Sequence, residues 1–275
     1  MKDLDSFRPE TSAGRVLHEA RSPLTVPSLS EPKQALWFSL VIPTYDECAN
    51  LPVLLAQITE VLSAKYADRY EIIVVDDNSP DGTADQARLL TNQYFQLTVL
   101  CRKKERGLAS AVVRGWQVAS GVVLGVIDAD MQHPPGVLAN LLAAIETGAD
   151  LAVASRYVDL GSTGNWGFLR RTLSAGAGML AAVFLPEVFR SLKDPLSGCF
   201  VVLRTAVEGV PLEHNGYKIL LEVLVRGRAK HPVEVPFSLA LRHSGRSKVS
   251  FKQGWQYILQ LMALRWFLFK KMWRQ

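Results

Sequence analysis

Three oxygen-bearing side chains lie close together after one apolar segment of the chain. Asp128 and Asp130 flank Ala129, and Gln132 follows two residues later. Because alternate residues at the end of a strand point to the same side, this spacing can direct the three side chains toward one point. Carboxylate and amide oxygens suit Mg²⁺ or Mn²⁺, and such an ion favours a diphosphate ligand. The alternative is a pair of loop aspartates that cap the helix predicted to follow.

A second acidic pair strengthens the hypothesis of a metal and diphosphate site. Asp76 ends the apolar segment 71–76, and Asp77 follows it directly. The carboxyl ends of strands in one α/β sheet converge on one crevice, so two acidic strand ends would face the same ligand. Both pairs could instead be solvated turn residues, and Asp81-Gly82 is first of all a turn signal.

The elements that must position these acids are short apolar strands that alternate with helical segments. Continuous β-branched runs predict strands covered on both faces of a sheet. We therefore predict an α/β fold, with a doubly wound and mostly parallel sheet, helices on both faces and a ligand at the carboxyl ends of the strands. The predicted strands are 37–42, 71–76, 97–100, 122–128 and 151–155, and the predicted helices between them are 51–62, 83–90, 108–119 and 135–146.

The net charge of +5 on this 275-residue chain comes entirely from its C-terminal end. Residues 242–275 contain eight basic and no acidic side chains, whereas residues 1–36 are balanced and 37–241 are slightly acidic. Such a tail fits an anionic surface or a phosphorylated ligand better than nucleic acid, for which the chain has no recognition motif. Three widely spaced cysteines without a CxxC pattern argue against a disulfide scaffold or zinc site and favour a reducing compartment.

Several other classes of protein are disfavoured by missing signatures. No GxGxxG follows the first strand and no GxxxxGK[ST] occurs, which argues against a dinucleotide-binding domain and a P-loop. No Ser/His/Asp set can be assembled, and the five scattered histidines favour surface or capping roles. Segment 1–36 has no apolar core of a signal peptide and is interpreted as a flexible extension. The uncharged stretch 172–186 is shorter than the ~20 apolar residues that a spanning helix needs.

The C-terminal segment 251–275 predicts a helix with an aromatic stripe and basic neighbours. Tryptophan and basic side chains suit the headgroup layer of a membrane. Leu261, Leu264 and Leu268 lie on the other side, so packing on the protein's own core is the alternative interpretation. The stripe follows three- and four-residue spacing and consists of Trp255, Leu259, Met262, Trp266, Phe269 and Trp273.

Seven motifs occur in an order that resembles one enzyme family. Together they look like the polyprenol-phosphate mannosyltransferases, which are dolichyl-phosphate mannose synthases of the GT-A fold in glycosyltransferase family 2. The resemblance covers about residues 37–250, and the third, fifth and sixth motifs make it specific. The motifs are VIPTYDECANL (41–51), VVDDNSPDGTA (74–84), DADMQHPP (128–135), SRY (155–157), DPLSGCF (194–200), GYKILLE (216–222) and RHSGRSK (242–248).

This resemblance implies a role for individual residues. The positions similar to those that hold the donor's nucleoside are Pro43, Tyr45 and Glu47, with Asp76 or Asp77. Asp128, Asp130 and Gln132, with Ala129 among them, match the metal and diphosphate site. The basic residues that match positions around the phosphates and the acceptor are Arg156, Arg170, Lys218, Arg242 and Lys248, of which Arg170 matches an acceptor-phosphate arginine. The catalytic set that follows is Asp130, Arg156, Arg170, Arg242 and Lys248.

The function implied is inverting transfer of mannose from GDP-mannose to a polyprenyl (dolichyl-type) monophosphate, assisted by Mg²⁺ or Mn²⁺. A sister enzyme that uses UDP-glucose or another sugar nucleotide is the nearest alternative, and a non-catalytic sugar-nucleotide or membrane-binding module is another. The expected organisation is a flexible extension (1–36), a GT-A domain (37–250) and a membrane-associating helix (251–275). The expected location is the cytoplasm, with peripheral association at the cytoplasmic face of a membrane.

Overall fold

The computed structural model describes residues 24–29, 36–67, 69–163, 168–212, 218–240 and 251–273. The strands in these ranges are β1 (Phe38–Thr44), β2 (Tyr70–Asp76), β3 (Leu97–Cys101), β4 (Val123–Val126), β5 (Leu151–Ser155), β6 (Phe200–Leu203) and β7 (Pro232–Pro236). They form one sheet in the order β3-β2-β1-β4-β6-β5-β7. β6 runs antiparallel to β4 and β5, and the other neighbours are parallel.

Helices cover both faces of this sheet, as the doubly wound prediction requires. Leu40 of β1 packs in one core layer with α1 and α4, whereas its neighbour Val41 packs in the opposite layer with α3. This alternation explains why the strand segments are apolar at most positions, since each face of the sheet is buried. The helices are α1 (Leu51–Tyr66), α2 (Thr83–Leu90), α3 (Leu108–Val118), α4 (Val137–Glu146), α5 (Phe168–Phe184), α6 (Pro186–Ser191), α7 (Ile219–Arg226) and α8 (Phe251–Met272).

The order of the strands defines where a ligand can bind. From β1 the chain moves outward on one side to β2 and β3, and then returns to add β4 on the other side of β1. In open α/β sheets such a reversal leaves a crevice at the carboxyl ends of the strands. The loops after β1, β2 and β4 all lie at this edge, and the acidic pairs singled out from the sequence follow or end β2 and β4.

The last helix packs on the domain through one of its faces. Tyr257, Leu261 and Leu264 of α8 are buried in a third apolar cluster, which also contains Leu221 of α7 and Leu185 after α5. Among the described residues, no helix is both long enough and apolar enough to cross a membrane. The alternative interpretation, a helix on the protein's own core, is therefore correct for this face.

A short N-terminal segment also packs on the domain. Thr25 and Val26 form bridges with Pro211 and Glu208, and Val26 is fully buried in the same core layer as α3. The Arg204 guanidinium donates to the Pro27 carbonyl at 3.1 Å. This part of segment 1–36 is thus held by the domain, and the division at residues 36 and 250 stays a prediction.

Candidate functional site

Each of the three loops at the crevice contains one residue other than glycine in a left-handed backbone conformation. These residues are Asp46 after β1 (φ 52°), Asn78 after β2 (φ 56°) and Met131 after β4 (φ 63°). Aspartate and asparagine tolerate this region, but it is uncommon for a residue such as methionine. Because strained backbone of this kind clusters at functional sites, its occurrence in all three loops marks this edge as the candidate site.

The carboxylate of Asp76 joins the ends of β1 and β2. Asp76 is fully buried, and it accepts hydrogen bonds from the Ser79 amide (2.9 Å), the Ser79 hydroxyl (2.5 Å) and the Thr44 hydroxyl (3.1 Å). The Ser79 hydroxyl oxygen in turn accepts a hydrogen bond from the amide of Asp46 at 3.0 Å. The loop after β1 is therefore fixed against the loop after β2.

Asp81 makes a second connection between the same two loops. Its Oδ2 accepts the Cys48 amide at 3.0 Å, and its Oδ1 accepts the Thr83 amide at 3.0 Å. The Thr83 hydroxyl accepts the Glu47 amide at 3.0 Å. Partial burial alone would raise the pKa of Asp81, but the hydrogen bonds from Thr83 and Cys48 outweigh it and lower the pKa. The position that the sequence marks as a turn thus also positions Glu47, a predicted nucleoside contact.

Asp77 closes a third loop, formed by residues 102–107. One carboxylate oxygen accepts Arg102 Nε at 2.7 Å, and the other accepts the Gly107 amide at 2.7 Å. Burial raises the pKa of Asp77, although Arg102 and the Gly107 amide act in the opposite direction. The closed loop places the Arg106 guanidinium 5.8 Å from the ring centroid of Tyr45. Asp77 therefore shapes the predicted nucleoside end of the crevice.

The predicted metal-binding side chains follow β4. Asp130 Oδ1 accepts the Gln132 amide at 3.1 Å. Asp128 lies against Gly198, where an added Cβ would be only 1.9 Å from Asp128 Oδ2. The described residues contain no group of three or more His, Cys, Asp or Glu side chains placed to hold a metal ion. Two carboxylates and an amide nevertheless fit Mg²⁺, which usually takes one or two carboxylates together with substrate phosphates.

Two predicted cations contact residues 194–196, in the segment that precedes β6. Asp194, only 1% exposed, accepts hydrogen bonds from Arg156 through the backbone amide (3.1 Å), Nε (2.7 Å) and Nη2 (2.7 Å). Lys218 Nζ donates to the Leu196 carbonyl at 3.0 Å. Burial lowers the pKa of Lys218, even though Asp128, Asp194 and Asp130 all favour its charged form. The structure thus pairs Arg156 with Asp194 and brings Lys218 within electrostatic range of the acids after β4.

The side chains of three further predicted cations lie outside the described part of the structure. Arg170 lies in α5, and its side chain is outside the described part of the structure. Arg242 and Lys248 lie between β7 and α8, in residues 241–250, outside the described residues. Their assignment to the acceptor phosphate stays a prediction.

A comparison with known protein families agrees with this geometry. The model of the family described as "Glycosyl transferase family 2" matches residues 39–209, which is more than half of the chain. The chain belongs to glycosyl transferase family 2. The matched range extends from β1 past β6 and includes all three crevice loops, so the resemblance inferred from the seven motifs is confirmed at this level.

Comparison with individual relatives extends this assignment. A dolichol-phosphate mannosyltransferase from Pyrococcus furiosus is 45% identical over 226 residues, which are 82% of this chain and 63% of that protein. The chain thus spans less than two thirds of that relative. A protein of the same name from Saccharomyces cerevisiae is 34% identical, over 84% of this chain and 88% of its own length.

The family 2 domain also shares its fold with solved glycosyltransferases. Glucosyl-3-phosphoglycerate synthase from Mycobacterium tuberculosis, in complex with Mn²⁺, UDP and phosphoglyceric acid, superposes with a TM-score of 0.62. The match covers 85% of this chain and 80% of that one, at 20% sequence identity. Identity this low shows only the fold, and with the mixed seven-stranded sheet it confirms the predicted GT-A-like architecture.

His133 is a site residue whose position the sequence analysis predicted wrongly. Instead of a surface or capping role, it is only 6% exposed and stacks on Phe237 with 4.8 Å between ring centroids. Burial, opposed by Asp130 and reinforced by Arg156, lowers its pKa to about 4, so the imidazole is neutral at pH 7. Its Nδ1 has no hydrogen-bond partner among the described residues. The sequence signal that could have identified His133 as a site residue is its position directly after Gln132.

We predict that Gly198→Ala displaces Asp128 and slows metal-dependent turnover. The new methyl group would overlap the Asp128 carboxylate, which must move because the methyl is fixed to the backbone. A displacement of about 1 Å at a reacting centre can cost ~10²-fold in rate, and we expect a loss of at least about tenfold. Steady-state kinetics at varied Mg²⁺ or Mn²⁺ concentration measure it.

Gly136→Ala is the matched control, because a Cβ at Gly136 meets nothing within 4 Å. This variant keeps the turnover of the unaltered protein. Equal turnover of both variants, with both folded by circular dichroism, would show that the contact between Gly198 and Asp128 does not position the carboxylate.

Proposed function

We propose that this domain transfers mannose from GDP-mannose to a polyprenyl (dolichyl-type) monophosphate, with inversion at the anomeric carbon. The observation that carries the proposal is the cluster at the switch point of the sheet. There one loop pairs Arg156 with Asp194, holds Lys218 at the Leu196 carbonyl and lies against the Asp128 carboxylate through Gly198. Carboxylates that suit a divalent cation, next to partly buried cations, are the groups that a sugar diphosphate requires. The mannosyltransferase names of the two relatives support the sugar and the lipid acceptor.

The nucleoside end of the donor is assigned to the loop after β1. Pro43, Tyr45 and Glu47 hold the nucleoside, and the buried carboxylate of Asp76 fixes the adjoining loop. Hydrogen bonds from the Glu47 and Cys48 amides keep this wall rigid before the donor arrives. Such preorganisation reduces the ordering cost of binding.

The diphosphate end is assigned to the loop after β4. Asp128, Asp130 and Gln132 would hold Mg²⁺ or Mn²⁺, and the bound ion supplies charge stabilisation to the leaving diphosphate, worth several kcal/mol in metal enzymes generally. Lys218 and Arg156 contribute positive charge beside the same phosphates. Asp194 keeps the Arg156 guanidinium in one orientation through two side-chain hydrogen bonds.

The acceptor needs little chemical activation from the protein. A phosphate monoester has a second pKa of about 6, so it is mostly dianionic at neutral pH and can attack without a general base. The remaining task is to hold this dianion near the donor against electrostatic repulsion. We assign this task to Arg170, Arg242 and Lys248, the cations that match the family's acceptor positions.

The lipid acceptor requires contact with a membrane, and α8 offers a surface for it. The predicted stripe lies on the exposed face of the helix, where Trp255 is 58%, Trp266 57% and Trp273 77% exposed. Lys270 and Lys271 lie in the last turn, and the Lys270 ammonium is 5.2 Å from the Trp266 ring centroid. Aromatic and basic side chains together favour the interface of an anionic membrane. We propose peripheral binding at the cytoplasmic face.

The donor assignment is tested by direct transfer. Purified protein is incubated with GDP-mannose or UDP-glucose, a polyprenyl monophosphate and Mg²⁺ or Mn²⁺, and the lipid fraction is analysed for sugar. We expect transfer from GDP-mannose to exceed transfer from UDP-glucose by at least about tenfold, a difference of ~1.4 kcal/mol in transition-state stabilisation. Equal transfer from UDP-glucose would contradict the mannose assignment, and no transfer from any donor would contradict the enzymatic proposal.

The metal role of Asp130 is tested by Asp130→Asn. The amide keeps the shape and the acceptor for the Gln132 amide, but it removes the negative charge. Loss of ~3–4 kcal/mol of transition-state stabilisation corresponds to about 10²–10³ in rate, and we expect a decrease of this size in metal-dependent transfer. A capping aspartate would tolerate the change, because asparagine caps equally well. Near-normal transfer with unchanged metal dependence would therefore exclude Asp130 from the metal site.

The membrane role of α8 is tested by changing its exposed face alone. The triple variant Trp255→Ser, Trp266→Ser, Trp273→Ser keeps the buried face, which a truncation would remove. We expect it to lose co-sedimentation with vesicles of phosphatidylglycerol and phosphatidylcholine. Binding of the unaltered protein should weaken with salt, since each basic residue near an anionic surface contributes about 1 kcal/mol that salt screens.

A double variant at exposed apolar residues away from α8 controls for general hydrophobicity. Leu89 and Phe95 are 66% and 75% exposed, and Leu89→Ser with Phe95→Ser leaves vesicle binding unchanged. Undiminished binding of the tryptophan variant would show that this face of α8 does not bind the membrane.

A further inference from the structure

Glu234 lies in the strand at the edge of the sheet and holds a loop of the site. Its carboxylate accepts two consecutive backbone amides, with Oε2 at 2.8 Å from the Lys193 nitrogen and Oε1 at 2.9 Å from the Asp194 nitrogen. Residues 193–198 form a loop within the link between α6 and β6, so Glu234 fixes the first two residues of this loop. Because the acceptor is charged, both hydrogen bonds are of the stronger kind.

The same loop supports three groups of the site. Asp194 holds Arg156 by three hydrogen bonds, and the Leu196 carbonyl accepts Lys218 Nζ at 3.0 Å. Gly198 lies directly against the Asp128 carboxylate. A shift of this loop would therefore move two cations and one acid together.

We propose that Glu234 is a positioning residue for the transfer reaction, which acts through Asp194 on the guanidinium of Arg156. The proposal rests on the proposed function. Each carboxylate oxygen binds one amide, so the backbone of Asp194 is fixed at the point where its side chain receives Arg156. Glu234 itself lies on β7, and its effect on catalysis is transmitted by the loop.

The chain offers a matched control just before the same strand. Asp150 also accepts two consecutive amides, those of Lys230 (2.5 Å) and His231 (2.9 Å), which precede β7. Asp150→Asn therefore removes the charge from a similar two-point contact, but leaves intact the contact that holds residues 193–198. A general loosening of the edge strand would affect both variants equally.

The experiment compares Glu234→Gln with Asp150→Asn. Glutamine keeps one acceptor oxygen and turns an NH₂ group toward the other amide, which displaces the loop. Because a misplacement of about 1 Å can cost ~10²-fold, we expect kcat of Glu234→Gln to fall by at least about tenfold, with the donor KM changed by less than about threefold. Asp150→Asn should stay within about twofold of the unaltered protein. Glu234→Asp, which keeps the charge with a shorter reach, should be intermediate.

A double-mutant cycle separates positioning from loss of stability. If Glu234 acts through Asp194, adding Glu234→Gln to Asp194→Asn should slow transfer by less than about twofold, because residues in one network are not additive. Full additivity, normal kcat in folded Glu234→Gln, or an equal loss in Asp150→Asn would overturn the proposal. If Glu234→Gln does not fold, the kcat of Glu234→Asp tests the proposal instead. A decrease supports it, and a normal kcat overturns it.

A measurement that does not depend on catalytic turnover tests this proposal separately from the proposed function. Cys199 is fully buried directly after the loop, and Cys101 in β3 is 4% exposed and serves as an internal reference. Peptide-resolved thiol labelling should be faster at Cys199 in Glu234→Gln than in Asp150→Asn, with Cys101 unchanged. If the unaltered protein transfers no sugar, the proposed function fails, and these labelling rates alone decide whether Glu234 positions the loop.

Discussion

The buried ion pair between Arg156 and Asp194 is the contact on which the site depends. Arg156 follows β5, and Asp194 begins the loop that leads into the antiparallel strand β6. The pair therefore connects the parallel part of the sheet to its one reversed strand. Removal of one partner of a buried pair typically costs 3–5 kcal/mol, because the remaining charge has no compensation. The loop held in this way also limits where Asp128 can lie, through Gly198.

The charge of this cluster depends on Lys218. Asp194 is paired with Arg156, whereas burial disfavours the charge on Lys218 despite the acids around it. A diphosphate in the crevice adds negative charge beside Lys218 and so favours its ammonium form. Ligand binding and the positive charge of Lys218 therefore stabilise each other. The neutral imidazole of His133 adds no further charge to this balance.

The strands and most helices could be predicted from the sequence because their signals are local. A strand buried on both faces is apolar at most positions. Segment 151–155 is such a run, and it coincides with β5. The predicted strand 122–128 was too long, since β4 ends at Val126, where its pairing with Phe200 of β6 stops. The predicted helix 51–62 was too short, because Tyr66 extends α1 by stacking on Trp37 at 4.9 Å. These corrections depend on distant contacts that a local pattern does not contain.

Some residues of the candidate site could likewise be predicted from a local pattern, and others could not. Asp128, Asp130 and Gln132 could be found because they follow one another at a strand end, but Asp194 and Glu234 could not, because their partners are about forty residues away. The helix α8 is the clearest case. Its sequence is apolar on two sides, and periodicity alone cannot tell which side faces the protein. The packing shows which side it is: Leu261 and Leu264 lie in one apolar cluster with Leu221 of α7, and the tryptophan face is the exposed one among the described residues.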